Sequence, residues 1–233
     1  MAVNVHRHAF VSPSRPRLRS RCALRRFRIV LSESRLHRPS GRSRVQPHED
    51  CAVRKKRWLG KSTVSLLLYE AFRQAGKTVA LKDWDAQGTA SKALELIYGK
   101  DWKNPASAGI TIVDTPPNLE HTATAAAVQN ADIVLVVASP SPADIWEAED
   151  AVDFVKGRNA NAQVRVIFNK VRKSTVLGKL VEESAKQISA PTLPVTLSAR
   201  ECYQHAIAHG WKALDSAARQ EVLQLIVALL SHK

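Results

Sequence analysis

Three cysteines in 233 residues, Cys22, Cys51 and Cys202, are too few and too scattered for a disulfide framework or a zinc site. They fit a reducing compartment. Long apolar runs are also missing. The run near the C-terminus, Leu225 to Leu230, is far too short to span a bilayer, and no internal repeat is visible. Acids are nearly absent from the first part of the chain, where residues 1–57 hold fourteen Arg and two Lys against Glu33, Glu49 and Asp50. That segment carries +13 of the formal +14, so residues 58–233 are close to neutral at +1. A nucleic-acid footprint read from the total charge therefore belongs to the N-terminal segment and not to the body of the chain.

The first fifty residues contain twelve Arg, no Lys and four of the eight histidines, His6, His8, His37 and His48. They lack a sustained period of 2 or 3.6 and the uninterrupted apolar core of a signal peptide. An Arg-rich, acid-poor start resembles an organelle transit peptide. Two further readings of residues 1–55 stand open. One is a disordered basic arm that buries too little apolar surface to fold. The other is translation out of frame. Trp58 is encoded by TGG, so its junction with Leu59 read one nucleotide later encodes glycine. Continued back to His48, that shift permits a start codon and a hydrophobic first strand.

Glycine is missing where it matters most. The stretch Lys56-Arg57-Trp58-Leu59-Gly60-Lys61-Ser62-Thr63 has the end of a phosphate-binding loop without its two middle glycines. The intact part, Gly60-Lys61-Ser62-Thr63, opens a helical pattern over 61–75 with apolar positions at Val64, Leu67, Leu68, Ala71 and Phe72. In such a loop backbone N–H groups wrap the β-phosphate, Lys reaches the β/γ oxygens and the Ser hydroxyl serves Mg²⁺. The helix N-terminus adds its positive end. Glycines at 57 and 58 would let the backbone approach the phosphates, whereas Arg57 and Trp58 put bulk there. The preceding segment, His48 to Lys55, is too polar for a strand buried on both faces. The sheet is therefore expected to lack a central strand.

The remainder alternates strands and helices, the pattern of βαβ units around a parallel sheet. Strands are expected at 78–83, 109–114, 132–138, 163–169 and 193–197, and helices at 61–75, 119–129, 142–157, 175–188 and 215–231. Gly76 suits a helix C-terminal cap and Pro142 a first helical position. The fold class is thus α/β, a doubly wound, mostly parallel sheet. Acidic residues follow two strand ends, Asp83-Trp84-Asp85-Ala86-Gln87-Gly88 after 78–82 and Asp114-Thr115-Pro116-Pro117 after 110–113. Strand C-terminal ends are where such sheets place nucleotide chemistry.

These motifs, in this order, resemble the ParA/MinD group of P-loop ATPases. Lys56, Gly60, Lys61, Ser62 and Thr63 fall on the family's Lys-Gly-Gly-x-Gly-Lys-(Ser/Thr)-Thr loop. Asp83, Asp85, Gln87 and Gly88 fall on Asp-x-Asp-Pro-Gln-Gly, with Ala86 in place of the proline. Residues 110–117 match its Walker B segment, and 131–137 with Ser139-Pro140-Ser141-Pro142 resemble the next strand and loop. The resemblance covers nearly all of 56–233, and the short gap between the second and third motifs is most similar to the small plasmid ParA subgroup.

The resemblance implies ATP and Mg²⁺ as cofactors. Gly60, Lys61, Ser62 and Thr63 would bind phosphate, with Ser62, Asp83 and Asp114 around the metal. Lys56 would reach the partner's phosphates in a nucleotide-bound homodimer, and Asp85 would orient the attacking water. Asn169 would contact the base, or simply cap its strand end. It further implies a cytoplasmic, nucleoid-associated bacterial partition switch that binds DNA non-specifically in its ATP state and answers to a ParB-like protein. Arg200, Lys212 and Arg219 are candidates for the DNA-facing patch that the resemblance implies, although scattered surface cations are the commoner explanation, while Trp84, Trp146 and Trp211 read as packing residues. Two alternatives remain, a catalytically impaired relative because of Arg57 and Trp58, and a MinD-like membrane-associated ATPase. The second would need a basic amphipathic C-terminal helix, which the apolar stretch from Glu221 to Lys233 does not supply.

Overall fold

The computed structural model describes residues 27–32 and 60–231. Lys56, Arg57 and Trp58, like the Arg-rich residues on either side of 27–32, lie outside the described residues. Six strands form one parallel sheet in the order β2-β3-β1-β4-β5-β6. They are β1 Phe27–Ser32, β2 Val79–Asp83, β3 Ile110–Asp114, β4 Ile133–Ala138, β5 Gln163–Val171 and β6 Thr192–Ser198. The helices are α1 Lys61–Gln74, α2 Thr89–Tyr98, α3 Thr122–Gln129, α4 Pro142–Arg158, α5 Val176–Lys179, α6 Val181–Ala185, α7 Cys202–His209 and α8 Ser216–Ser231, with a 3₁₀ turn at Gly210–Ala213.

The central strand is present, which corrects the expectation of a sheet without one. It comes from inside the Arg-rich segment. Ile29, Val30 and Leu31 are fully buried, and β1 pairs with β3 through Ile29↔Ile112 and with β4 through Ile29↔Ile133. A strand buried on both faces needs only a short continuous apolar run, and three such residues among arginines leave little periodic signal. Arg28 sits at the strand's polar end, where its N–H donates to Asp132 at 2.7 Å and its guanidinium to the Asn130 carbonyl at 3.3 Å. Residues 33–59 separate this strand from Gly60 along the chain.

Two cores flank the sheet. Ile29, Leu31, Leu81, Ile112 and Leu135 meet α1, α2, α7 and α8 on one face. Val30, Val113, Val134 and Val166 meet α3 and α4 on the other. On the first face α1 packs against β2 and β3 and is flanked by α2, α7 and α8, so it is buried well beyond its expected stripe, at Leu66, Tyr69 and Glu70 as well as Val64, Leu67 and Leu68. Helices α2 and α7 provide that cover and were not expected from sequence. Glu70 is kept in this environment by accepting from the Tyr98 hydroxyl and from the Trp211 N–H at 3.3 Å.

Helix ends follow local chemistry. Gly76 (φ 71°) closes α1, with Lys77 N–H reaching the Phe72 carbonyl and Gly76 N–H that of Arg73, both at 2.9 Å, a Schellman pattern. Ser141 caps α4 by accepting from the Asp144 N–H, with Pro142 at the first turn. The helix expected over 175–188 divides at Leu180 into α5 and α6. Val222, Leu225, Ile226 and Leu229 of α8 are buried against the sheet side of the molecule. No helix among the described residues is long and apolar enough to cross a membrane.

Candidate nucleotide-binding site

The C-terminal ends of β1, β2 and β3 converge on the start of α1. Gly60 precedes that helix in the left-handed region (φ 85°, ψ 28°), and no side chain caps the first turn. Its early N–H groups therefore keep their capacity to hold an anion, assisted by the helix dipole. Residue 60 must be glycine for a second reason: a Cβ there would lie 2.9 Å from Asn169 Nδ2. The predicted base-contacting residue thus sits at the end of β5, buried against the phosphate loop, and its Oδ1 accepts from the Lys170 N–H at 2.8 Å.

Lys61 is buried, with its ammonium 2.6 Å from the Thr115 carbonyl and 3.1 Å from that of Pro116. The loop after β3 is itself tied to β1, since the Thr115 hydroxyl donates to the Leu31 carbonyl. Asp114 is buried beside them. Its Oδ1 accepts from Ser65 Oγ at 3.2 Å, while its Oδ2 is enclosed with no protein partner among the described residues. Burial pushes the Asp114 carboxyl up to about 6, against the nearby Ser62 hydroxyl and the charge of Lys61, which act to lower it. Ser65 was not singled out from sequence, although its position one helical turn past Lys61 places it on the same face of α1.

Asp83 pairs in register with Asp114 across β2 and β3. Its two carboxylate oxygens accept from the Asp85 N–H at 3.1 Å and the Ser91 N–H at 2.9 Å. Asp85 Oδ1 accepts from the Gln87 N–H at 3.1 Å. The acidic loop is therefore a closed turn that hands the chain to α2. Ser62 and Thr63 are half-buried at the start of α1. The structure brings Gly60, Lys61, Ser62, Asp83, Asp114 and Asn169 to one end of the sheet.

The donor set tests the expected cofactor. Magnesium takes hard oxygen ligands and keeps several waters, and a buried carboxylate with one unpartnered oxygen beside a Ser hydroxyl suits it. An uncapped helix start with a lysine suits the phosphates. Residues 59–211 match the CobQ/CobB/MinD/ParA nucleotide-binding domain. The chain belongs to this nucleotide-binding family. Among its relatives, the maintenance of carboxysome distribution protein A of Halothiobacillus neapolitanus is 22% identical over 182 residues, covering 69% of this chain and 83% of that one. The fold is similar to that of the septum site-determining protein MinD complexed with Mg-ADP from Pyrococcus horikoshii (TM-score 0.64, 14% identity, 88% of this chain and 97% of that one). It also resembles a plasmid partition protein from Borrelia burgdorferi (TM-score 0.57, 13% identity, 87% and 99%). The ParA/MinD resemblance and the parallel α/β architecture are both borne out.

Arg200 pairs with Glu221 at 2.8 Å and lies 3.8 Å from Asp215. Arg219 stacks over Trp211 and donates to its carbonyl at 3.4 Å. Of the three proposed DNA-facing cations, only Lys212 is left exposed without such a role. Trp211 packs as expected, but Trp84 and Trp146 are exposed, at 37% and 67%.

Proposed function

We propose that this chain is a nucleotide-dependent switch ATPase that partitions or positions a cargo, as a dimer formed with ATP and Mg²⁺. The observation that carries the reading is the meeting of Lys61, at an uncapped helix start, with buried Asp114 at the end of β3. Lys61 would neutralise the β/γ-phosphate oxygens, and Ser62 and Asp114 would hold the metal. Magnesium, when bound, supplies charge neutralisation at the transferring phosphoryl group. Catalysis would otherwise consist of positioning a water for in-line attack, with Asp85 as the orienting carboxylate and Lys56 reaching toward the partner's phosphates.

The relatives named for plasmid partition and carboxysome distribution support the positioning role. Cytoplasmic, nucleoid-associated DNA binding and release by a ParB-like partner belong to the same reading. Because Arg200 and Arg219 are engaged within the fold, backbone-phosphate binding would draw chiefly on the basic residues 1–57 and fall steeply with salt. The deciding experiment measures DNA retention and ATP hydrolysis by the full chain with ATP, ADP and no nucleotide. ATP-dependent retention with turnover is expected. Retention indifferent to nucleotide, without turnover, favours the second reading, an impaired relative, for which Arg57 and Trp58 at the loop's glycine positions are the specific observation.

A further inference from the structure

The turn that follows β5 presents an apolar tip ringed by cations. Residues 170–180 contain Lys170, Arg172, Lys173 and Lys179 and no acid. Within them Val176, Leu177 and Leu180 are 74%, 43% and 44% exposed. Arg172, Lys173 and Lys179 are exposed and form no ion pair among the described residues. The acids that come next are Glu182 and Glu183, and Glu183 is engaged by Lys186 at 2.7 Å.

This turn is built rather than loose. Thr175 N–H and Oγ1 both donate to the Arg172 carbonyl, at 2.9 and 2.8 Å, and Thr175 Oγ1 accepts from the Gly178 N–H at 3.1 Å. A Cβ at residue 178 would stand 1.9 Å from the Arg172 carbonyl oxygen, so only glycine lets the turn close. The closed turn holds Val176 and Leu177 outward.

Chemistry selects the partner. A duplex backbone would use the cations and leave the apolar side chains without a role. Peptide recognition by apolar anchors uses a groove, whereas Val176 stands out from the surface. An anionic bilayer takes both features at once, with apolar side chains at the boundary of headgroups and acyl chains and cations on the anionic headgroups. We propose that the turn from Arg172 to Leu180 is a peripheral insertion loop for anionic membranes.

The test is co-sedimentation of the full chain with vesicles of phosphatidylcholine alone and of phosphatidylcholine with phosphatidylserine, using Val176→Ser/Leu177→Ser and Arg172→Glu/Lys173→Glu double variants. Binding to the anionic vesicles is expected, with an about tenfold or greater loss in each double variant, and no binding to the neutral ones. Thermal midpoints should stay unchanged, because the substituted side chains are exposed. Anionic binding that survives both double variants assigns it to the basic residues 1–57 and overturns the proposal. Loss confined to the Glu pair reduces the turn to a surface electrostatic contact and overturns insertion. Failure to bind either vesicle overturns the membrane as partner and leaves the tip to an acidic protein surface.

Discussion

Lys61 donates to the Thr115 carbonyl at 2.6 Å, so the lysine of the phosphate loop rests on the chain segment that follows the buried acid Asp114. The contact joins the start of α1 to the end of β3 and leaves the ammonium beside the carboxylate it would share a ligand with. A bound triphosphate would draw Lys61 from these neutral carbonyls to charged oxygens, a stronger hydrogen-bond class. Lys61→Ala should therefore weaken ATP binding by about 10- to 100-fold, the range for a hydrogen bond to a charged group. Titration with a fluorescent ATP analogue checks it, and unchanged affinity would remove Lys61 from the site.

Gly60 and Asn169 give a paired prediction. Gly60→Ala meets two costs, a left-handed backbone angle (φ 85°) and a Cβ 2.9 Å from Asn169 Nδ2. The first costs about 1 kcal/mol, and the clash adds to it. Asn169→Ala in the same chain should recover the clash but not the backbone strain. Thermal melts of the two singles and the double are expected to be non-additive. Strict additivity would mean that the two residues do not touch.

Asp114 should oppose stability while serving function. Its carboxyl is raised from 3.8 to about 6 by burial. Between those values the folded chain holds a proton that the unfolded chain releases. Stability therefore falls as pH rises through this window, and the full cost, about 3 kcal/mol at most, applies above about pH 6. Asp114→Asn should be more stable than the parent at pH 7 without nucleotide, with the difference shrinking toward pH 4. It should also lose the extra stabilisation that Mg²⁺ and ATP give the parent. Differential scanning calorimetry across pH, with and without Mg²⁺–ATP, reads both effects.

Glu221 has the opposite sign. Burial pushes its carboxyl up, but hydrogen bonds from Arg200, the Ser198 N–H, Tyr203 and Ser198 Oγ outweigh this and leave it below its ordinary value. The network ties α8 to β6 and to α7 through Tyr203. Its contribution is present above the ordinary carboxylate range and is lost as pH falls through the lowered value. Glu221→Gln should cost about 1–3 kcal/mol at pH 7 and less at pH 3. A cost that does not shrink with acid would mean that charge is not what the site uses.

Sequence made the site more legible than the cover over it. Asp83 and Asp114 close recognisable strands, and Gly60 and Lys61 open a recognisable helix, because phosphate chemistry demands particular residue types there. Gly76 and Pro142 were legible for the same reason, each answering a local backbone requirement. Helix α2 was missed although Ala90, Ala93 and Leu94 face the core at helical spacing, because small residues after an acidic turn make a weak stripe. Arg200 and Arg219 read as free surface cations, since nothing local announces Glu221, or Trp211 as a stacking partner. Their engagement is a tertiary fact. Strand β1 was concealed by its neighbours: the arginines around it fix the segment's composition, while only three side chains determine its place.

That strand gives the last prediction. Leu31 is fully buried between β3 and β4, its carbonyl accepts from the Thr115 hydroxyl, and its side chain joins the core beneath α1. Leu31→Ala should cost about 2–5 kcal/mol, the range for a large side chain removed from a packed interior. A loss of that size is a large fraction of a domain's total stability, so the melting midpoint should drop sharply. A loss near zero would mean that another segment occupies the sheet centre, the arrangement expected if the codons before Gly60 are translated in a different frame. Sequencing the encoding DNA across codons 45–62 separates the two. An intact frame with a thermally sensitive Leu31→Ala chain makes residues 27–32 an integral strand of the nucleotide-binding fold, joined to the phosphate loop along the chain by residues 33–55.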